Sequence, residues 1–415
     1  MKLFISLFLL ITITAANAQT VKNGLVVMGK TDSVKSKILG EKRQVWIYLP
    51  NGAGNADSKK RYPVVYLLDG DGHFASVAGM VQQLSEVNGN TICPEMIVVA
   101  IPNTDRTRDL TPTNSLLDPS GKKVDMFKTS GGGEKFTSFI EKELIPHIDS
   151  VYPTAPYKVL IGHSFGGLTV MNIVINHTNL FNDYVAIDPS MWWDSKKLLM
   201  QAHEVMKQKK FEGKALYLGI ANTMPGGMDT LQVRRDTSGG TAHIRSILEL
   251  KDVLQDNAPA NGLQFAYSYH KDDSHGSVPL IAEYNALRFL FAFNKLSNDD
   301  QYKIYDDPKA DIVSIYDTHY AEVSKHFGYK VLPSEDEINQ MGYYFLRDHQ
   351  PNKAYTMFAL NIKNYPESFN VFDSMGDYYA DQENKAKAIE YFQKALKLKE
   401  NPDTRGKLDK LKSGK

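Results

Sequence analysis

The sequence predicts an α/β fold with a mostly parallel sheet, followed by a small all-α region at the C-terminus. Three observations carry this. From about Gln44 to Asn294, short β-branched apolar runs alternate with helical patterns. Several of those runs, such as Val64-Val65-Tyr66-Leu67-Leu68 and Val159-Leu160-Ile161, are continuously apolar, as strands covered on both faces are. Beyond Asn294 no strand signal remains, and a helical repeat takes over.

Taken in order, residues 1–18 read as a secretory signal peptide. Lys2 gives a positive start, residues 3–13 form the apolar run, and Ala16-Asn17-Ala18 is a small-x-small cleavage site. This places the protein in the periplasm or outside the cell. No later apolar run is long enough to cross a membrane. Strands are expected at 45–49, 63–68, 96–101, 158–162, 184–187, 215–220 and 263–269. Helices are expected at 134–149, 165–177, 195–209, 241–255 and 278–293. Residues 51–60 form a polar surface turn. Residues 111–133, with Pro112, Pro119 and Gly131-Gly132-Gly133, form a loop long enough to be functional. The first large domain thus spans 19–294.

Residues 295–331, charged and rich in Tyr, read as a linker with one or two helices, and 332–412 as helical repeats. Gly342 and Gly376 are 34 apart, as are Ala354 and Ala388, and Phe358 and Phe392. That period is tetratricopeptide-like. The second copy fits better, since the first has Asn361 where the second has Ala395. Two repeats seldom stand alone, so they are expected to dock on the first domain or on a protein partner.

Composition excludes several classes. Forty-eight basic and 48 acidic residues cancel, which leaves no electrostatic footprint for nucleic acid. A single cysteine, Cys93, forms no intrachain disulfide.

The chemistry centres on Gly162-His163-Ser164-Phe165-Gly166. A strand runs straight into this G-x-S-x-G and a helix runs straight out. The serine therefore sits on a sharp turn with its hydroxyl above the sheet, as at the nucleophile elbow of an α/β-hydrolase. Ser164 is the predicted nucleophile. It needs a base, and His275, on the loop after the last strand, stands where this fold presents one; His270 is second choice. The acid should follow the strand at 215–220, and Asp229 is the first carboxylate there, with Asp236, Asp188 and a Ser-His dyad without an acid as alternatives. Backbone N–H groups for an oxyanion are expected from Phe165 and from Asp71 and Gly72 in Asp69-Gly70-Asp71-Gly72-His73. That run lacks the later ligands of a calcium loop, so no metal and no cofactor are expected.

Tyr62–Gly70, Asn103–Pro112, Gly162–Gly167 and Pro189-Ser190-Met191-Trp192-Trp193 together resemble the putative esterase family, which includes esterase D, ferric-siderophore esterases, and feruloyl and acetylxylan esterases. The resemblance covers roughly residues 42–294. It implies that Ser164 and His275 are the catalytic pair, that the Asp69–Gly72 loop lies on the oxyanion side, and that Arg106, Trp192 and Trp193 line the site. Asp188 stands where relatives often carry a small polar residue, which keeps it a candidate acid. Arg106 and Arg108 could hold an anionic group or brace their loop against Asp105 and Asp109. One of the two tryptophans is expected in the core. The reading is a serine esterase acting on a siderophore ester or an acylated carbohydrate. Its rivals are an acyltransferase of the same fold and a periplasmic interaction protein working through its repeats.

Overall fold

The computed structural model describes residues 20–22, 24–54 and 60–413. The signal peptide and part of the expected turn at 51–60 therefore lie outside the described residues. The chain divides into two compact units, Met1–Lys295 and Leu296–Lys415.

In the first unit an eight-stranded sheet is built from β1 (Lys30–Lys35), β2 (Lys42–Tyr48), β3 (Tyr62–Leu67), β4 (Ile97–Ala100), β5 (Thr154–His163), β6 (Asp183–Ile187), β7 (Ala215–Ala221) and β8 (Gln264–His270). Their spatial order is β1-β2-β4-β3-β5-β6-β7-β8. Only β2 runs antiparallel to its neighbours. All other pairs are parallel, the α/β-hydrolase arrangement the sequence predicts. β3, β4, β6 and β7 are buried along their whole length, which explains their unbroken apolar sequences. The register between β3 and β5 shifts between Tyr62 and Val64, at Pro63, which has no N–H to give the ladder. β8 closes one edge, pairs among the described residues only with β7, and is half-exposed. β1 was not expected; it is an edge strand with polar Lys30, Asp32 and Ser33, so its apolar signal is weak.

The principal helices here are α1 (Gly70–Ser85), α2 (Phe165–Asn176), α3 (Trp193–Gln208), α4 (Ala242–Asn261) and α5 (Val278–Leu290). α1 and α5 pack on each other and on the sheet, and α2, α3 and α4 form a second group. Helix α1 corrects the reading of 69–73 as loop. Asp69 turns the chain at φ 51°, and Gly70 then starts a 16-residue helix. A side chain on Gly70 would put its Cβ 2.6 Å from the Ile101 nitrogen, so glycine is what lets the helix begin so close to β4.

The second unit is all helical: α6 (Asn298–Asp306), α7 (Ile312–Phe327), α8 (Glu335–Arg347), α9 (Pro351–Asn364), α10 (Phe369–Asp381), α11 (Lys385–Leu398) and α12 (Pro402–Ser413). α8–α9 and α10–α11 repeat with every boundary displaced by 34 residues. The ring of Phe358 lies where a Gly342 Cβ would be (2.5 Å), and the ring of Phe392 does the same at Gly376 (2.6 Å). The departure at Asn361 has a use: its Nδ2 donates to Glu335 O at 2.9 Å, at the start of α8. Residues 295–331 are more than a linker. Ile304, Ile312 and Tyr316 are buried with Phe345 and Phe358 in this unit's core. Among the described residues no helix is long and apolar enough to cross a membrane.

Candidate active site

β5 ends at His163, Ser164 takes φ 59° and ψ −115°, and α2 begins at Phe165. Such a backbone costs a non-glycine residue about 1–3 kcal/mol, and its surroundings hold it in place. The Ser164 N–H donates to Ile187 O at 2.9 Å, and Ser164 O accepts from Leu168 N and Ser190 N. Small neighbours make room for the bend. A Cβ on Gly162 would stand 2.4 Å from Gly166 O, and one on Gly167 would press on Ile187 O and Pro189 at 3.0 Å. The turn lies at the carboxyl ends of the central strands, where the strand order reverses and open α/β sheets leave a crevice.

His275 rides on the loop between β8 and α5. Its Nε2 is 3.1 Å from Ser164 Oγ and its Nδ1 is 2.6 Å from Asp188 Oδ2. The loop is tied to β7 by Asn222 N–H on Asp273 O, 2.8 Å. Asp188 ends β6 at φ 41° and is fully buried. Its Oδ1 accepts the Ala221 N–H at 3.0 Å, and Oδ2 also meets His243 Nε2 at 2.8 Å. Burial works against its charge, but the hydrogen bonds from His243 and His275 outweigh it and hold the carboxyl well below the usual carboxylate range.

The carboxylate beside His275 is therefore that of Asp188, and Asp229 is elsewhere. Asp229 caps a short helix, Thr230–Val233, accepting from Leu231 N and Gln232 N while Gln232 Oε1 accepts its own N–H. Asp236 is occupied by the Ser238 and Thr241 hydroxyls. The chain after β7 spends both carboxylates on its own turns. His270 ends β8 with Nε2 buried and no partner among the described residues.

Helix α1 begins just after Asp69 and α2 just after Ser164. Among the described residues the N–H groups of Asp71 and Phe165 have no hydrogen-bond acceptor, whereas those of Gly70 and Gly72 go to Ile101 O (3.0 Å) and Asp69 O (2.9 Å). Gly72 is thus committed within its own turn, which leaves Asp71 and Phe165 of the three expected donors. Arg106 braces this corner. Its Nε and Nη2 grip Asp69 Oδ1 and Oδ2 at 2.6 and 3.0 Å, and its guanidinium lies 5.3 Å from the Phe165 ring centroid. Arg108 pairs with Glu41 and Asp109, a structural role. Trp193 is core: it is 2% exposed, its Nε1 donates to Thr113 O at 3.1 Å, and its ring packs on Phe127 and Phe165. Trp192 is only partly buried, 6.1 Å from the Phe165 ring.

Four neighbours escaped the sequence reading. Ser190 Oγ is 3.4 Å from Ser164 Oγ. The ring of His163 lies 4.5 Å from that of His275, and burial, with the adjacent His275 and His73, pushes its pKa down to about 3, so it is neutral. His73 sits 3.1 Å from the buried Glu283, whose hydrogen bond and charge raise its pKa against the opposing effect of burial. His243 comes from the first turn of α4. Asp188, His243 and His275 together offer three ligand atoms within 4.8 Å of one another, a donor set of the kind zinc takes. The hydrogen bonds among them already account for that spacing.

The family model for Putative esterase matches residues 36–222. The crystal structure of an IroE-like serine hydrolase from Shewanella oneidensis is 34% identical, with a TM-score of 0.67 over 80% of this chain and 98% of that one. The chain belongs to the Putative esterase family. It is also 27% identical to the ferri-bacillibactin esterase BesA of Bacillus subtilis over 55% of this chain and 78% of BesA. A siderophore enterobactin esterase of Emericella nidulans is likewise 27% identical, over 38% of this chain and 55% of that protein.

Proposed function

We propose that this protein is a serine esterase that hydrolyses a carboxylic ester through Ser164, His275 and Asp188, and that its substrate is a siderophore ester. The observation that carries the reading is the unbroken line of contacts Asp188–His275–Ser164, with the serine on the elbow turn. Asp188, an ionised acceptor, accepts a hydrogen bond from the Nδ1–H of His275, so the lone pair at Nε2 faces the Ser164 hydroxyl. Ser164 Oγ attacks the ester carbonyl while Nε2 removes its proton, and the imidazolium formed is stabilised by the buried carboxylate. As the carbonyl oxygen becomes negative, the Asp71 and Phe165 N–H groups are free to receive it. Collapse of the adduct expels the alcohol, which takes the proton from Nε2. Water, activated by the same nitrogen, then releases the acid and restores the serine.

The substrate class rests on the kinship with the Bacillus and Emericella esterases, and export rests on the leader at 1–18. N-terminal sequencing of the mature protein beginning at Gln19 would support export. The decisive experiment tests labelling by a fluorophosphonate and, on separate untreated samples, hydrolysis of p-nitrophenyl esters and of a catecholate trilactone. Labelling and turnover are expected in the wild type and lost in Ser164→Ala. Equal labelling of both would refute the serine mechanism, and cleavage of simple esters without the trilactone would refute the substrate class.

A further inference from the structure

We propose that His243 is a positioning residue for this reaction: it holds the Asp188 carboxylate in place and walls in the imidazole of His275. The inference rests on the Ser164–His275–Asp188 reading and extends it by one residue. Asp188 Oδ2 is shared, 2.6 Å from His275 Nδ1 and 2.8 Å from His243 Nε2. An ionised carboxylate has no proton to give, so both nitrogens must present N–H. His243 is therefore protonated at Nε2 and His275 at Nδ1, and the second assignment is what leaves His275 Nε2 a lone pair for Ser164.

Geometry adds a second role. The His275 side chain is 41% exposed and sits on a loop, a poor platform for a base that must stay within hydrogen-bond reach of a hydroxyl. The His243 ring stands edge-on to it, centroids 5.0 Å apart and planes at 88°, and the His163 ring lies against it at 4.5 Å. His243 itself is firmly mounted. It follows the Gly239–Thr241 turn, where Arg245 ties Thr241 and Ser238 together. Asp188 thus takes N–H groups from three separate elements: Ala221 of β7, His243 of α4 and the His275 loop. Three donors, one on Oδ1 and two on Oδ2, restrain the carboxylate more tightly than the Ala221 and His275 N–H groups alone would. Among the described residues His243 makes no hydrogen bond to Ser164, so its action passes through Asp188 and His275.

The test compares His243→Ala with His243→Gln, whose amide N–H reaches about where Nε2 stands. Alanine should lower kcat about ten- to a hundredfold, the worth of a hydrogen bond to a charged group, with KM nearly unchanged. Glutamine should recover most of that loss. The downfield NMR resonance of the His275 Nδ1 proton should move in the alanine variant and return in the glutamine variant. A kcat unaltered by alanine, or glutamine as poor as alanine, would overturn the proposal. The wild-type protein gives an independent reading: nitrogen-15 NMR showing His243 Nε2 without a proton at neutral pH would overturn it even if neither variant folds. The wild-type control separates the two failures, because absence of Ser164 labelling sinks the esterase reading itself, whereas normal labelling with an indifferent His243 sinks this inference alone.

Discussion

Nδ1 of His275 lies 2.6 Å from the carboxylate of Asp188, a residue 87 positions earlier in the chain. Asp229, much closer in sequence to the histidine, is turned to its own helix. The pair separates two carboxylates by role. Asp188→Asn should lower kcat/KM about 10³- to 10⁴-fold, since the amide favours the wrong imidazole tautomer. Asp229→Asn should leave it nearly unchanged, because asparagine caps a helix as well as aspartate does. Steady-state kinetics on a p-nitrophenyl ester decides. The reverse ranking would return the acid to the loop after β7.

Arg106 grips Asp69 at two points, and Lys cannot reproduce a planar two-point hold. Arg106→Lys should therefore loosen the Asp71 amide and reduce kcat roughly tenfold, with little change in KM. A rise in KM at constant kcat would show instead that the guanidinium binds substrate.

Asp183, at the start of β6, has its pKa pushed up to about 7 by burial, against the hydrogen bonds of Tyr157 and Ala215. Between its unfolded value, near 4, and about 7, the folded protein holds a proton that the unfolded chain has lost. Stability from this group therefore falls as pH rises through that window, by about 1.4 kcal/mol per pH unit, and is flat above it. Asp183→Asn should remove that slope in denaturant titrations run from pH 4 to 8. An identical slope in the variant would contradict the assignment. Asp188 is the opposite case. Its lowered pKa adds stability that is fully present above the usual carboxylate range and lost only as pH falls below it.

Gly376→Ala would set a methyl 2.6 Å from the buried ring of Phe392. Overpacking of this kind costs about 1–3 kcal/mol. A lower thermal midpoint for the helical region, followed by circular dichroism, is expected. Unchanged melting would mean that α10 and α11 can separate without penalty.

Ser164 on its elbow and the neighbouring His275 are legible in the sequence because both are local features: a glycine-flanked serine between a strand and a helix, and a histidine in the loop after the last strand. Seven of the eight sheet strands could be read from their apolar runs. The acid could not be fixed in the same way. Asp188 and His275 meet only because β6 and β7 are neighbours and the loop from β8 folds back over them, a consequence of sheet order. Helix α1 was hidden by its glycines, and β1 by its polar face. His243 gives no signal at all, since one histidine in the first turn of a helix looks like any other. Arg106 was found near the site, but its partner Asp69 lies 37 positions away, and only the fold brings them together.

The proposed base, His275, hangs from the outermost strand of the sheet. Among the described residues β8 is held on one side by β7 and has no strand on the other. Edge elements of this kind peel away at lower free energy than the rest of the molecule. Catalysis should consequently fail before the protein does. In a urea series, ester hydrolysis would fade while the far-ultraviolet signal still reads as native, and amides of 264–270 would exchange with deuterium sooner than those of β5, which leads into Ser164.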